Sequence, residues 1–287
     1  MNFLIVLLAI ILLEAYSELG FVQRDNWLRR WHAGLSKLGL ASGSSALGMV
    51  LFLAVPLLVL YLLLSTLSQQ GLGLFVFLLE LAVLLYALGR GNLDTQIALL
   101  TSDLERDDLQ AAFHDAAIFN TAYPEGSADS AEDLKNEVFA ALPYRIFERS
   151  FVVIFWFFLL GAPAALAYRL LALHGDLRLD SDDSRAVKWL WLMEWLPVRL
   201  LGITLGLVGN FSQAAGLTRQ LIFSRSIGTD EFLRQAIKGA LQDEEGSGHA
   251  GETSMQLNAQ AISNLVALLG RAMTAWLVAI AILVILS

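Results

Sequence analysis

The chain has 287 residues, of which 56% are hydrophobic and 16% charged, and its mean hydropathy is +0.61. Ordinary soluble domains carry about 25% charged residues, so this composition argues against such a domain and predicts a polytopic membrane protein. The absence of cysteine excludes disulfides, cysteine metal sites and a cysteine nucleophile. The net charge is −8, and positions 90–149 hold twelve acidic against five basic residues, which argues against nucleic-acid binding.

The apolar runs predict membrane spans in chain order. The first run, MNFLIVLLAIILLEAYSELG, has neither a basic start nor a cleavage site, so we interpret it as a retained anchor helix and not a signal peptide. A spanning helix needs about 20 mostly apolar residues, and the uncharged run from Leu38 to Leu79 is long enough for two spans separated by SQQG. We predict spans near 1–20, 46–67, 71–89, 150–172 and 264–287.

Two regions carry interruptions. Gly161 to Pro163 breaks the run 150–172, which is then either a simple span or a hairpin that enters the membrane and returns. The region 189–209 contains EWLPVRLLG. Pro197 suits the first turn of a helix, so we predict a helix that begins near Leu196 and is too short to span. This makes 189–209 re-entrant or interfacial.

The distribution of Lys and Arg predicts the orientation. The basic segments 21–44 and 210–262 should be cytoplasmic, as should 90–149, where the apolar spacing predicts amphipathic helices. The predicted fold class is all-α: a polytopic helical integral membrane protein with cytoplasmic helical segments, 90–149 and 210–262, and re-entrant or broken helices. We expect a single membrane domain over 1–287, with the lipid bilayer as its first partner.

Motifs for cofactors are weak. GSGHAG, at 246–251, matches a dinucleotide-binding pattern, but no strand precedes it, so a linker is the favoured interpretation. The four histidines are far apart in sequence and show no metal-ligand spacing. Carboxylates can hold Mg²⁺, which needs few protein ligands, and Asp103, Asp107 and Asp108 are the candidates. A solvated helix face is the favoured interpretation of these three residues.

Charged residues in or beside apolar runs are more informative. A charge at membrane depth costs about 2.5–3.5 kcal/mol on insertion scales, so it normally faces a partner or water. Functional and structural pairing are equally open for Glu14, Arg169 and Arg199. For Glu80, in the third predicted span, a structural hydrogen bond is favoured.

Three stretches resemble the AmpE family: EWLPVRLLGITLGLVGN, the preceding FFLLGAPAALAYRLLALHGD, and the N-terminal LLEAYSELG with its basic loop. AmpE proteins are inner-membrane proteins paired with an amidase in regulating β-lactamase induction, and the resemblance runs over essentially the whole chain. That family is similar to the CbiB/CobD family, membrane enzymes that join cobyric acid to an aminopropanol unit. The resemblance implies a multi-pass protein of the bacterial inner membrane.

The resemblance also implies site residues. Arg106 and Asp107 match an Arg-Asp pair of the enzyme family, and the Tyr-Arg and Pro-x-Arg motifs have counterparts here. The enzyme family's Gly-Glu-Pro and His-Pro are missing after Glu14, and the Asn before its second proline motif is replaced. The scaffold is therefore retained, while amide-forming chemistry is in doubt and no catalytic residue is assigned. The ligand-binding candidates are Glu14, Arg106, Asp107, Tyr168, Arg169, Asp176, Glu194 and Arg199.

Three functions follow as alternatives. The first, implied by the resemblance, is a regulator linked to cell-wall stress and β-lactamase induction, which binds a small anionic or peptide-like ligand in a cytoplasm-facing cavity. Its further partners would be a second copy of the chain or a regulatory protein. The second is an amide-forming membrane enzyme that uses Mg²⁺ and a nucleotide. The third is a transporter, a class in which broken helices and intramembrane charges are common.

Overall fold

The computed structural model describes residues 2–15, 25–37, 46–88, 93–116, 119, 130–177, 184–210, 224, 227–241 and 254–286. Every regular element in these ranges is helical and none is a strand, which confirms the predicted all-α class. A π-helical segment, Phe147–Phe151, joins α7 to α8. In chain order the α-helices are α1 (Asn2–Ala15), α2 (Asn26–Lys37), α3 (Ala46–Gln69), α4 (Gly73–Ala87), α5 (Leu93–Glu105), α6 (Leu109–Ala116), α7 (Ala131–Ile146), α8 (Val152–Leu160), α9 (Ala162–Leu177), α10 (Ser184–Val208), α11 (Thr229–Leu241) and α12 (Ser254–Leu286).

The chain divides into two compact units. The single membrane domain over 1–287 stays a prediction. Unit 1 comprises Met1–Gly91 and Arg149–Glu194. In it α9 packs against α3, α4 and α8, while α1 packs against α4 and α8, and α2 packs against α3. Its interior is aliphatic and aromatic, with Phe52, Leu84 and Phe157 fully buried. Unit 1 is thus a helical bundle built around α9.

Two glycines at positive φ interrupt the apolar runs of unit 1. Gly71 (φ 72°) follows α3, and the N–H groups of Gly71 and Leu72 donate backbone bonds of 3.1 and 3.0 Å in the Schellman pattern. Gly161 (φ 79°) separates α8 from α9, and Pro163 lies in the first turn of α9, where its missing N–H has no helical partner to lose. These breaks coincide with SQQG and Gly-Ala-Pro in the sequence. Because α8 and α9 pack against each other, they form a helical hairpin.

Unit 2 comprises Asn92–Glu148 and Trp195–Ser287. In it α12 packs against α5 and α7, and α11 packs against α7. Gly202 in α10 and Gly209 directly after α10 permit the close approach of α11. A Cβ atom on Gly202 would lie 2.6 Å from the ring of Phe232, and one on Gly209 would lie 2.8 Å from the Cβ of Ala240.

Among the described residues, three helices are long and apolar enough to cross a membrane: Leu47–Gln69, Arg185–Val208 and Asn258–Leu286, with 23, 24 and 29 residues. Two of them coincide with the predicted spans 46–67 and 264–287. The predicted spans 1–20 and 71–89 contain shorter apolar helices, α1 with 14 and α4 with 15 residues. At 1.5 Å per residue such helices are about 21–23 Å long, less than the roughly 30 Å of a bilayer core.

Helix α10 corrects one prediction. The helix does not begin near Leu196; it runs continuously over 25 residues and holds Pro197 in its interior. A proline there leaves the carbonyl four residues earlier without its helical donor. That carbonyl belongs to Met193, and the indole Nε1–H of Trp156 donates to it at 3.1 Å. The region predicted to be a short re-entrant or interfacial element is therefore part of a helix of spanning length.

A buried polar cluster around helix α9 as the candidate functional site

Helix α9 carries three polar side chains that are at least nine-tenths buried: Tyr168, Arg169 and His174. Successive residues of an α-helix project about 100° apart, so these side chains meet different neighbours. Buried polar and charged groups are costly unless they are bonded or paired, and in a membrane protein they mark candidate sites. We name this set and its contacts in unit 1 the α9 cluster.

The first arm of the α9 cluster joins α9 to α10. The hydroxyl of Tyr168 donates a hydrogen bond to Oε1 of Glu194 at 3.0 Å. Tyr168 is fully buried and Glu194 is 2% exposed, so this bond lies in the interior of unit 1. A carboxylate that accepts from a phenol in such surroundings is held in a fixed position. The arm can therefore orient a polar group or exchange a proton with it.

The second arm lies on α4, which packs against α9, and it reaches the residue before α2. The Tyr86 hydroxyl donates to Oδ1 of Asp25 at 2.9 Å, and Asp25 is itself buried. The indole of Trp27 covers the Tyr86 ring at a centroid distance of 6.1 Å. This arm joins a phenol and a carboxylate in the interior of unit 1.

The third arm is aromatic. The His174 ring lies 4.8 Å from the ring of Phe52 in α3 and 6.1 Å from that of His32 in α2, measured between centroids. His32 in turn meets Phe52 edge-on at 6.0 Å. Imidazoles are the side chains whose charge changes most readily near neutral pH. The imidazole rings of His32 and His174 therefore lie side by side, although the residues are 142 positions apart in the sequence.

Beside the aromatic Trp27 and Phe52, four titratable residues of the α9 cluster were not among the sequence candidates: Asp25, His32, Tyr86 and His174. Asp25 and Tyr86 lie at the ends of helices, and both histidines belong to helices with other polar residues. A polar residue at the end of an apolar run was the available signal for Tyr86. The histidines were set aside because their spacing in the sequence is not that of a metal site, and packing alone brings them together.

Arg199 lies in unit 2 and has a different environment. Its guanidinium carbon is 4.9 Å from the ring centroids of both Trp195 and Phe232. Its Nη2 donates to the carbonyl oxygen of Ser224 at 2.7 Å, and Nη1 donates to that of Trp195 at 3.4 Å. Arg199 is only 3% exposed. Two aromatic faces and two carbonyls thus surround the cation, an arrangement that ties residue 224 to α10.

Arg106 and Asp107 form the turn between α5 and α6. Asp107 has φ 58°, and the N–H groups of Asp107 and Asp108 donate to Leu104 and Asp103 at 3.2 and 2.9 Å, as in a Schellman motif. Asp108 then caps α6, because its Oδ1 accepts from the N–H of Ala111 at 3.0 Å. These residues therefore have a structural role in the turn, beside any role in binding.

Asp103 lies next to this turn. Burial, then the charges of Asp115 and Asp108, raise the pKa of the Asp103 carboxyl, while Arg106 opposes them. Within the described ranges no three His, Asp or Glu side chains are grouped so that they could hold a metal ion. The Mg²⁺ site at Asp103, Asp107 and Asp108 stays a prediction.

The remaining sequence candidates are only partly described. Glu14 and Asp176 belong to α1 and α9, and their side chains lie outside the described part of the chain. Tyr168, Arg169 and Glu194 fall in unit 1, whereas Arg106, Asp107 and Arg199 fall in unit 2. The single cavity that would join all of them stays a prediction.

In the described residues, the fold and the α9 cluster define an all-helical protein with membrane-compatible helices and a few polar side chains buried in an apolar interior. A scan of protein-family models found no match, and comparisons with curated proteins and with solved structures found no similar protein. The resemblance to the AmpE and CbiB/CobD families is therefore an interpretation of the sequence stretches quoted above.

Proposed function

We propose that the chain is a multi-pass protein of the bacterial inner membrane that binds a small anionic or peptide-like ligand at the α9 cluster and regulates a cell-wall stress response. The observation that supports it most is the burial of Arg169 on α9, the helix that also carries the buried Tyr168–Glu194 hydrogen bond, in a bundle of apolar helices. A guanidinium recognises carboxylate and phosphate groups through a fork of N–H donors. Keeping such a cation in an apolar interior is costly, which favours a functional reason for it.

Arg169 and the first arm, Tyr168 with Glu194, give the proposed ligand site its chemistry. Arg169 would provide the charge complement for an anionic group. The pair of Tyr168 and Glu194 would provide fixed acceptor oxygens for the N–H groups of a peptide-like ligand. The resemblance to the AmpE family supports β-lactamase induction as the regulated output.

Measurement of β-lactamase induction in a strain that depends on this chain tests the regulatory role. We expect Arg169→Gln to change the response to a β-lactam at unchanged protein abundance. The matched control is Lys238→Gln, which removes an exposed cation of α11 and should leave induction as in the wild type. Equal induction in all three strains would exclude the proposed role of Arg169.

Transport is a second candidate function, supported by the broken helix. The α8–α9 hairpin is interrupted at Gly161 and is preceded by the π-helical segment Phe147–Phe151. Discontinuous helices beside buried charges are common in transporters, and π-helical turns are frequent at functional sites. Ligand flux into vesicles that contain the purified protein would favour transport. Stoichiometric binding without flux would favour the regulator.

A further inference from the structure

Helix α2 is amphipathic, with its apolar side turned to the protein. Leu28 and Leu35 are buried, and α2 packs against α3. The side chains of Arg29, Arg30 and Lys37 are exposed, and the helix contains no acidic residue. Arg30 and Lys37 are seven residues apart, so they lie on one stripe two turns apart. The exposed face of α2 therefore carries three positive charges and no negative one.

The position of α2 in unit 1 relates this face to the ends of two apolar helices. His32 contacts Phe52, which lies in the second turn of the candidate span Leu47–Gln69. Trp27 contacts Tyr86, which lies in the last turn of the apolar helix α4. The start of α3 and the end of α4 are thus both beside α2. In a membrane, this is the level at which an apolar helix passes from lipid tails to headgroups.

The aromatic residues of α2 fit the same level. Trp27 is 43% exposed, and Trp31, one turn later, is half-buried. Tryptophan is enriched where an apolar surface meets the headgroup region, because the indole is apolar over most of its area and has one N–H donor. Around the axis of α2, the two indoles therefore lie between the stripe of Arg30 and Lys37 and the buried leucines.

We propose that the exposed face of α2 binds the headgroups of anionic phospholipids at the border of the membrane. Arg29, Arg30 and Lys37 contact the lipid phosphates, and Trp27 lies at the level of the glycerol groups. Charge complementarity selects this occupant: each cation near an anionic membrane surface contributes about 1 kcal/mol of attraction. The surface differs from the proposed ligand site, because its cations are exposed while Arg169 is buried.

The test measures lipid binding by the purified full-length protein. Native mass spectrometry with titrated phosphatidylglycerol or phosphatidylcholine gives the affinity for each lipid. We expect wild-type protein to prefer phosphatidylglycerol. We expect the variant with Arg29→Gln, Arg30→Gln and Lys37→Gln to lose that preference, with affinity lower by on the order of a hundredfold for three cations. The control combines Lys135→Gln, Arg234→Gln and Lys238→Gln, three cations of α7 and α11 in unit 2, and should stay within about twofold of the wild type.

Several outcomes would overturn the proposal. One is equal binding of the two lipids by the wild type, and another is an equal loss in the control and the α2 variant. Displacement of phosphatidylglycerol by millimolar inorganic phosphate would indicate a site for the free anion instead. If the triple variant does not fold, Arg29→Lys with Arg30→Lys keeps the charge, and it should keep the preference. Loss of the preference in that variant would show that charge does not carry the interaction.

Discussion

The hydrogen bond between Tyr168 and Glu194 yields the sharpest prediction about the α9 cluster. Tyr168→Phe removes one oxygen atom and keeps the ring that fills the interior. Glu194 then loses a donor at 3.0 Å while it stays 2% exposed. A hydrogen bond to a charged, buried group is worth about 1.5–3 kcal/mol. We therefore expect the free energy of unfolding to fall by about 1.5–3 kcal/mol, a roughly ten- to hundredfold increase in the unfolded population at 25 °C.

The assay is reversible unfolding in mixed micelles, followed by helical circular dichroism, with a matched control. Tyr61→Phe removes the same oxygen atom from a side chain that is 62% exposed on α3. Surface substitutions of this kind change stability by about 0.5 kcal/mol or less. A double-mutant cycle with Glu194→Leu, which removes the acceptor, isolates the pair and should give a coupling energy above about 0.5 kcal/mol. Equal effects of Tyr168→Phe and Tyr61→Phe, or zero coupling in the cycle, would refute the reasoning.

Three further predictions concern the helices. Trp156→Phe should lower the free energy of unfolding by about 1–3 kcal/mol, because it removes the donor to the Met193 carbonyl. Adding Pro197→Ala should restore much of the loss, since the backbone N–H of residue 197 can then donate to that carbonyl. Asp103→Asn should raise the free energy of unfolding at neutral pH. The folded-state pKa of the Asp103 carboxyl lies above its ordinary value of 3.8. The stability that the protonated carboxyl contributes is therefore complete below pH 3.8 and is lost as the pH rises through the folded-state pKa. Urea unfolding from pH 3.5 to 7.5 should therefore give a flatter profile for the variant. Gly202→Ala should cost about 1–3 kcal/mol, because its Cβ would lie 2.6 Å from a ring atom, whereas Gly270→Ala, with nothing within 4 Å, should be neutral or stabilising in the same thermal unfolding assay.

The helix breaks could be predicted because their causes are local. Gly71 and Gly161 adopt positive φ, which glycine does at little cost, and each interrupts an apolar run at the place that the sequence indicates. The course of α10 could not be predicted in this way. Whether Pro197 begins a helix or lies within one depends on a donor for the Met193 carbonyl. That donor, Trp156, is 37 positions away in the sequence.

In the candidate site, too, some residues could be predicted from the sequence and others could not. Tyr168, Arg169 and Glu194 stand out in the sequence because polar residues in apolar runs are costly, and all three are buried in unit 1. Their partners do not stand out. Tyr86 and Asp25 are 61 positions apart, and only the packing of the end of α4 beside the start of α2 brings this pair together. Arg199 was predicted from the same cost of burial, yet its neighbours are aromatic rings and backbone carbonyls, which satisfy a cation without a ligand.

The central claim is that the α9 cluster binds an anionic small molecule through Arg169. Native mass spectrometry of protein taken directly from the membrane in mild detergent tests it most directly, with wild type, Arg169→Gln and the Lys238→Gln control compared. We expect the wild type and the control to retain one small molecule per chain, and folded Arg169→Gln to lack it. Tandem fragmentation should identify this molecule as a carboxylate or a phosphate. The same retained mass on Arg169→Gln, or none on folded wild type even after addition of anionic peptide fragments of the cell wall, would contradict it.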